Sequence, residues 1–257
     1  MQGLFELRDR IALVTGAAQG IGRGIAQALA AQGAAVILSD RDSATCQSAA
    51  AELQSHGCQA LSIGCDVAEI AEVEHLIEAA TEWRGRIDIL VCNAGVAGPS
   101  GPLGEADDAD WQRVFTVNLR AAARLAQGLI PAMAERGVGS VILMSSIAGL
   151  RGNKSIGLYG LTKAALAQLA RNLAVEWGPR GVRVNAISPG LIRTPLSHQL
   201  MADSAFMQRR LAMTPLRRVG EVHEIAGVAV LLASRAGAFI TGQNIVVDGG
   251  TLISDGG

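Results

Sequence analysis

Short apolar runs alternate with longer amphipathic stretches along all 257 residues of this sequence. The apolar runs predict seven β-strands, at 10–15, 34–40, 59–66, 87–93, 139–146, 182–190 and 243–250. Their centres are continuously apolar, which is typical of parallel strands covered on both faces. The stretches between them predict helices near 21–32, 43–55, 69–83, 111–135, 160–177 and 221–233. Because no linker or change of composition interrupts the alternation, we expect a single α/β domain over residues 1–257, with a doubly wound parallel sheet and helices on both faces.

One long connection departs from this alternation. Residues 191–220 separate the sixth predicted strand from the last predicted helix, and long connections in compact domains often form binding loops or lids. We predict that the part at about 191–214 forms a helical lid over a substrate pocket. The alternative is an ordinary surface helix packed on the core. The large apolar side chains of this part are Met201, Phe206, Met207, Leu211 and Met213.

Composition argues against several classes of function. The net charge is −1 and no stripe of lysine and arginine is present, so nucleic acid is not expected as a partner. The four histidines and four cysteines lack the spacing of metal ligands, and we expect no metal and reduced cysteines. No signal-peptide layout precedes the first apolar run, and the apolar stretch at 225–234 is too short to span a bilayer. We therefore expect a cytoplasmic protein that does not bind membranes.

A glycine-rich turn, TGAAQGIG, follows the first predicted strand and opens a helix. Glycines there let the backbone turn tightly and approach a pyrophosphate, while the helix N-terminus offers amide groups and a positive dipole end. The turn therefore predicts a dinucleotide site, with a purely structural turn as the alternative. The predicted cofactor-binding residues of the turn are Gly16, Gln19, Gly20, Ile21 and Gly22.

The ends of the next three predicted strands supply further candidates for cofactor binding. Asp40 ends the second strand, where a carboxylate accepts hydrogen bonds from the adenosine ribose and repels a 2′-phosphate. This favours NAD over NADP, although Arg41 could soften the preference by meeting a phosphate or stacking on adenine. The other candidates at strand ends are Asp66, Val67, Asn93 and Gly95.

Tyr159 is the only tyrosine of the chain, and Lys163 follows it by four positions. On a helix, residues with this spacing share one face. A free phenol has a pKa of about 10 and is a poor base near neutrality. A nearby ammonium, together with the positive nicotinamide of an oxidised cofactor, favours the phenolate and is expected to lower that pKa. The pair therefore predicts a general acid and base tuned for the oxidation of an alcohol.

Several motifs also occur in a fixed order: TGAAQGIG, NAG at 93–95, a serine 13 residues before the tyrosine, YGLTK, PG at 189–190 and DGG at 248–250. In this order they resemble the short-chain dehydrogenase/reductase family in its compact single-domain form, over essentially the whole chain. The resemblance implies a Rossmann-type seven-stranded sheet, hydride transfer with a nicotinamide cofactor, and a homotetramer. Residues 4–22 and 200–234 look similar to members of the gluconate 5-dehydrogenase type.

The resemblance also assigns roles to individual side chains. It implies that Tyr159 exchanges a proton with the substrate oxygen and that Lys163 also holds the nicotinamide ribose. Ser146 matches the serine that orients the substrate oxygen, whereas Ser145 is expected to be structural. Asn118 matches an asparagine that binds a water linking the lysine to a proton relay, with a helix kink alone as the alternative.

Residues 187–195 resemble the segment of the family that closes over the nicotinamide. There the backbone of Ile192 and the hydroxyl of Thr194 are implied to contact the carboxamide. The cofactor-binding residues implied in this segment are Pro189, Gly190, Ile192 and Thr194.

We therefore expect an NAD(H)-dependent oxidoreductase that interconverts a secondary alcohol and a ketone. The resemblance favours a polyol, sugar or sugar acid as the substrate. Arg193 and Arg209 could meet a carboxylate, with a solvent-facing position as the alternative, and the methionine-rich lid equally suits a more apolar ketone or alcohol. One alternative is an NADPH enzyme similar to 3-oxoacyl-carrier-protein reductases, against which Asp40 argues. An alternative of another class is a non-catalytic dinucleotide-binding sensor. The expected homotetramer would use the helices at 111–135 and 160–177 as one interface.

Overall fold

The computed structural model of the chain describes residues 3–254. Its strands form one all-parallel sheet in the order β3-β2-β1-β4-β5-β6-β7. The strands are β1 Ile11–Thr15, β2 Ala35–Asp40, β3 Ala60–Gly64, β4 Ile89–Cys92, β5 Gly139–Met144, β6 Val182–Pro189 and β7 Asn244–Val247. All seven predicted strands and the Rossmann-type order are therefore confirmed.

Helices cover both faces of the sheet. The helices are α1 Gly20–Ala31, α2 Ser43–Ser55, α3 Ile70–Arg84, α4 Asp108–Phe115, α5 Ala121–Glu135, α6 Gly157–Trp177, α7 His198–Ala202, α8 Ser204–Ala212 and α9 Val222–Ala233. One apolar core joins α3, α5 and α6 to one face of the sheet, and a second joins α1, α2 and α9 to the other. Alternate residues of each strand enter the two cores, so every residue of β1, β4 and β5 is buried.

The predicted helix at 111–135 is not continuous. It begins earlier, at Asp108, because the Asp107 carboxylate accepts a hydrogen bond from the Asp110 amide and caps the first turn. A π-helical turn, Thr116–Arg120, then separates α4 from α5. A π turn of this kind often marks a functional position in a helix.

The strand order places a crevice at the middle of the sheet. The chain moves outward from β1 through β2 to β3, then returns to the other side of β1 with β4. The connections that leave β1 and β4 therefore diverge at the carboxyl edge, where ligands bind in open α/β sheets. The glycine-rich turn follows β1 and the NAG motif follows β4, so both predicted cofactor segments lie at this crevice.

The long connection after β6 contains two short helices, α7 and α8. Its base is closed by a parallel bridge between Ile192 and Gly220, with the Gly220 amide donating to the Leu191 carbonyl at 3.0 Å. The predicted helical structure is present, and four of the five large apolar side chains are half-buried, with Met213 exposed. That the segment at about 191–214 acts as a substrate lid remains a prediction. Within residues 3–254, every helix is too short or too polar to cross a membrane.

Candidate active site

The glycine-rich turn is packed so closely that side chains do not fit at two of its positions. A Cβ added to Gly22 would lie 2.1 Å from the Gly16 carbonyl oxygen, and one added to Gly16 would lie 2.8 Å from the Ala94 Cα. Gly16 and Gly20 also have positive φ angles, 64° and 58°, which favour glycine. The turn therefore needs these glycines to bring its backbone against the end of β4.

The N-terminus of α1 meets the requirements of an anion site. Its N-cap residue, Gln19, makes no side-chain hydrogen bond to the helix, and the first turn carries no acidic residue. Ile21, the second residue of the helix, is partly buried against the core and anchors the turn. Asn93 fixes the turn from the other side, because its Nδ2 donates to the Thr15 and Gly16 carbonyls at 3.0 Å each. The residues present therefore fit the pyrophosphate of a dinucleotide.

The edge beyond β2 and β3 is predominantly acidic. The Asp40 Oδ2 accepts from the Ala18 amide at 3.1 Å, which ties the end of β2 to the glycine-rich turn. A groove beside it is lined by Arg41, Asp42, Ser43, Gly64, Cys65, Asp66 and Glu72. Val67 is buried next to this groove. The groove thus holds one positive charge, that of Arg41, and several carboxylates. The adenosine half of a dinucleotide would lie at this edge.

Tyr159 and Ser146 meet at the carboxyl edge, since Ser146 follows β5 and Tyr159 lies in the first turn of α6. The Ser146 hydroxyl accepts from the Ala148 amide at 3.1 Å. It also lies close enough to the phenol to act to lower the pKa of Tyr159. Burial acts more strongly in the opposite direction, so the pKa of Tyr159 is raised above its ordinary value. The expected lowering of this pKa by the neighbouring ammonium is therefore wrong for the protein alone.

Lys163 lies on the same face of α6 as Tyr159, with its Nζ 5.3 Å from the centre of the tyrosine ring. It is only 4% exposed, and burial lowers the pKa of Lys163 to about 8. Its Nζ donates to the Met144 carbonyl at 2.7 Å. The lysine is thus held against the end of β5, and burial makes it lose its proton more readily than an exposed lysine does.

Asn118 lies in the π-helical turn and is 1% exposed. Its amide group is fully used inside the protein: Oδ1 accepts from the Val96 amide at 2.8 Å, and Nδ2 donates to the Val96 carbonyl and the Thr162 hydroxyl. A Cβ on Gly95 would lie 3.2 Å from the Asn118 Oδ1 and 3.4 Å from the Lys163 Nζ. Asn118 therefore joins the loop after β4 to α6 immediately beside the lysine.

Ser145 points away from the tyrosine. Its hydroxyl is buried and donates to the Lys163 backbone carbonyl at 2.7 Å. The predicted structural role of Ser145 is confirmed by this contact, because it fixes α6 on the end of β5.

The segment after β6 reaches back to the glycine-rich turn. Pro189 ends β6, and a Cβ on Gly190 would lie 2.7 Å from the Asp248 Cα. A Cβ on Gly20 would lie 3.5 Å from the Thr194 Cβ, so the start of the lid segment contacts the predicted pyrophosphate site.

Sequence reasoning missed Ser197, which organises this segment. The Ser197 hydroxyl donates to the Ile192 carbonyl at 2.6 Å, and it forms a capping box with Thr194. The spacing T-x-x-S is the available signal, since a hydroxyl residue three positions after an N-cap threonine can close such a box. The Ile192 carbonyl and the Thr194 hydroxyl thus already have partners within the protein.

The two arginines considered for a substrate carboxylate are turned elsewhere. Arg193 forms an ion pair with Glu221, with Nε 3.0 Å from Oε1, and its side chain is largely exposed. Arg209 is exposed on the outer face of α8.

Comparison with known proteins agrees with this geometry. A family model described as "Enoyl-(Acyl carrier protein) reductase" matches residues 16–251. The chain is 38% identical to dehydrogenase/reductase SDR family member 4 of Bos taurus, over 96% of this chain and 88% of that protein.

Two solved structures share the fold closely. A gluconate 5-dehydrogenase from Burkholderia cenocepacia, in complex with NADP and tartrate, superposes with a TM-score of 0.93 at 35% identity, covering 98% of each chain. A 7α-hydroxysteroid dehydrogenase, in complex with NADH and 7-oxo glycochenodeoxycholic acid, gives 0.92 at 34% identity, covering 96% of each chain. The family match, the identity over nearly the full length and the shared architecture together show that this chain belongs to the short-chain dehydrogenase/reductase family of oxidoreductases.

Proposed function

We propose that the protein is an NAD(H)-dependent oxidoreductase that interconverts a secondary alcohol and a ketone, with Tyr159 as the acid and base. The observation that supports this most directly is the placement of Lys163 Nζ 5.3 Å from the Tyr159 ring, with the Ser146 hydroxyl close enough to act on the phenol. This cluster lies at the same sheet edge as the glycine-rich turn that fits a dinucleotide.

The proposed mechanism divides the chemistry between cofactor and protein. A bound nicotinamide dinucleotide supplies the acceptor or donor of the hydride, held by the turn from Gly16 to Gly22 and by the segment from Pro189 to Thr194. Tyr159 moves the proton at its phenolic oxygen to or from the substrate oxygen. Ser146 donates to the same substrate oxygen and orients it.

Lys163 and Asn118 support the tyrosine in this proposal. A cofactor ribose close to Lys163 would draw the Nζ from the Met144 carbonyl and bring its charge to bear on the phenol. Asn118, whose side chain is occupied by Val96 and Thr162, would hold a water through its backbone carbonyl. Both would stabilise the phenolate that alcohol oxidation requires.

Replacing Tyr159 with phenylalanine tests this assignment. The change keeps the ring in place and removes only the proton-transferring oxygen, so we expect kcat to fall by about 10²–10⁴. Dinucleotide binding, measured by fluorescence titration, should stay close to that of the wild type. Unchanged turnover of secondary alcohols would refute the mechanism. A protein that binds the dinucleotide but turns over no alcohol, with or without the tyrosine, would favour the non-catalytic sensor.

The acidic edge favours NAD over NADP in this proposal. The carboxylates of Asp66 and Glu72 line the groove beyond Asp40, where a ribose 2′-phosphate would lie, with Arg41 as the opposing charge. Changing Asp40 to serine removes the nearest repulsion and should improve NADP binding relative to NAD by about tenfold or more. Asp107→Asn, at the exposed N-cap of α4 and outside this groove, is the matched control. Tighter binding of NADP than NAD by the wild type would favour the NADPH-dependent reductase alternative.

The substrate proposed is a polyol, sugar or sugar acid. Support comes from the structural likeness to a gluconate 5-dehydrogenase that was solved with tartrate, a small hydroxy acid. Turnover measured over polyols, aldonic acids, hydroxy acids and cyclic alcohols would test this class.

We also propose that the protein is a cytoplasmic homotetramer. Apolar side chains on the outer faces of the fold, including Leu161 and Val175 of α6 and Phe239 before β7, are exposed and are suited to burial between copies. The four cysteines are all free thiols, which agrees with a reducing compartment.

A further inference from the structure

A chain of hydrogen bonds runs from the loop after β4 to the first turn of α6, and Thr162 is its last side chain. The Asn118 Nδ2 donates to the Thr162 hydroxyl at 3.0 Å, and that hydroxyl donates to the Tyr159 backbone carbonyl at 2.8 Å. At the other end of the chain, the Asn118 amide group is bonded to both backbone groups of Val96. Thr162 is 0% exposed, so water cannot take the place of its hydroxyl.

The number of protons fixes the direction of these bonds. A hydroxyl has one proton to donate, and in Thr162 it is committed to the Tyr159 carbonyl. The two N–H groups of the Asn118 amide are also used, one by the Val96 carbonyl at 2.9 Å and one by Thr162. Removing the Thr162 hydroxyl would therefore leave a donor of Asn118 buried without an acceptor, which the local structure can relieve only by rearranging.

The opposite side of α6 is held by contacts that do not involve this hydroxyl. Positions two residues apart on a helix point in nearly opposite directions, so Gly160 and Ala164 face away from Thr162. A Cβ added to Gly160 would lie 2.8 Å from the Ala148 carbonyl oxygen, and one added to Gly149 would lie 2.5 Å from the Ala164 nitrogen. These close contacts fix α6 on the segment after β5. The Thr162 hydroxyl acts on the other neighbour of the helix, the loop after β4.

This loop approaches the lysine of α6 at the crevice. Gly95 is exposed at the carboxyl edge of the sheet, and a Cβ added to it would lie 3.4 Å from the Lys163 Nζ and 3.2 Å from the Asn118 Oδ1. Lys163 follows Thr162 directly in the sequence. The hydrogen-bonded chain thus lies behind the point where the loop and the lysine come together.

We propose that Thr162 is a positioning residue that fixes the loop at Gly95 and Val96 relative to Lys163, so that the nicotinamide half of the dinucleotide meets a preformed site. This inference rests on the proposed function and extends it to a buried residue that touches neither cofactor nor substrate. Without the hydroxyl, the loop and the lysine would no longer be held at one separation. Ordering them on binding would then cost affinity, and misplacing them would cost rate.

Two ligands separate the halves of the cofactor site. AMP contains only the adenosine half of the dinucleotide, whereas NADH contains both halves. Thr162→Val removes the hydroxyl and keeps most of the side-chain volume. By calorimetric titration it should weaken NADH binding by about tenfold and leave AMP binding within about twofold of the wild type. The kcat for alcohol oxidation should fall by about tenfold to a hundredfold.

Three further variants serve as controls. Thr162→Ser and Thr162→Ala both lack the methyl group and differ only in the hydroxyl oxygen, so serine should restore NADH binding and kcat while alanine should behave as valine does. Ser140→Ala removes another buried hydroxyl, which donates to the Leu232 carbonyl at 2.9 Å near the amino end of β5. It should lower Tm as Thr162→Val does, without changing the ratio of NADH affinity to AMP affinity.

Hydrogen exchange provides a measurement that needs no ligand. The Val96 amide donates to the Asn118 Oδ1 at 2.8 Å, so residues 94–98 should exchange faster in Thr162→Val than in the wild type or in Ser140→Ala. Unchanged exchange in this segment, equal losses of NADH and AMP affinity, or failure of serine to restore NADH binding would overturn the inference. A wild type that binds NADH but turns over no alcohol would refute the proposed function, and the binding and exchange comparisons would still decide the role of Thr162.

Discussion

Burial of Lys163 should make the unfolding free energy of the cofactor-free protein depend on pH. The substitution Lys163→Met should remove this contribution to the pH dependence. The pKa of this lysine falls from 10.5 to about 8 on folding. Between these values the unfolded chain binds a proton that the folded chain does not, so folding becomes more favourable as pH rises through this window. Below about pH 8 the folded protein carries the full penalty of a buried ammonium.

The size of this penalty follows from the shift. A lowering of about 2.5 units corresponds to about 3 kcal/mol at neutral pH, of which about 2 kcal/mol is relieved by about pH 9.5. Lys163→Met removes the ammonium and keeps most of the side-chain volume. It also leaves the Met144 carbonyl without its donor, which costs about 1–3 kcal/mol at any pH. The absolute stability of the variant at neutral pH is therefore close to that of the wild type, and the informative quantity is the change with pH.

Urea denaturation at about pH 7 and about pH 9.5, at fixed protein concentration, measures this change. The wild type should gain about 2 kcal/mol of unfolding free energy relative to Lys163→Met between the two conditions. Contributions from the cysteines and from Tyr159 are common to both proteins and cancel in the difference. Lys154→Met is the matched control, since Lys154 is exposed and is the other lysine of the chain. If the unfolding free energy of the wild type and of Lys163→Met changed equally with pH, the argument that burial lowers the pKa of this lysine would be refuted.

The adjacent serines should separate stability from catalysis. Ser145→Ala removes the buried bond to Lys163 and should lower the unfolding free energy by about 1–3 kcal/mol, seen as a lower Tm, with less than about tenfold loss of kcat. Ser146→Ala should lower kcat by about a hundredfold and, because its hydroxyl also caps the Ala148 amide, should lower the unfolding free energy by about 1 kcal/mol; equal losses of kcat from the two changes would contradict the assignment. Because the pKa of Tyr159 is raised, kcat/KM for alcohol oxidation should increase from neutral to alkaline pH. The value of kcat/KM for ketone reduction should decrease over the same range. An oxidation rate that falls with rising pH would exclude the phenolate as the base.

The sheet was predictable from sequence because its signal is local and repeated. Most strands have an apolar centre, which is typical of strands covered on both faces. The glycine positions were likewise predictable, since the close approach of Gly22 to the Gly16 carbonyl leaves no room for a Cβ.

The electrostatics of the site were less predictable, because they depend on depth and on distant partners. The spacing of Tyr159 and Lys163 correctly indicated a shared face, but it carried no information on burial, which raises one pKa and lowers the other. Sequence also pointed to Arg193 and Arg209 for a carboxylate. Arg193 is paired instead with Glu221, which lies 28 residues away in the sequence. Arg209 faces solvent because of the orientation of α8. Neither fact can be seen in a local pattern.

The π-helical turn between α4 and α5 has a consequence for insertions and deletions. Such a turn is equivalent to a regular α-helix with one residue added. Each α-helical residue advances the side-chain direction by about 100°, so removing one residue between Thr116 and Arg120 would restore a regular helix and rotate one half against the other by that angle. Either α5 would lose its packing on α3, or Asn118 would turn away from Val96 and Thr162. This segment should therefore tolerate changes of side chain better than changes of length.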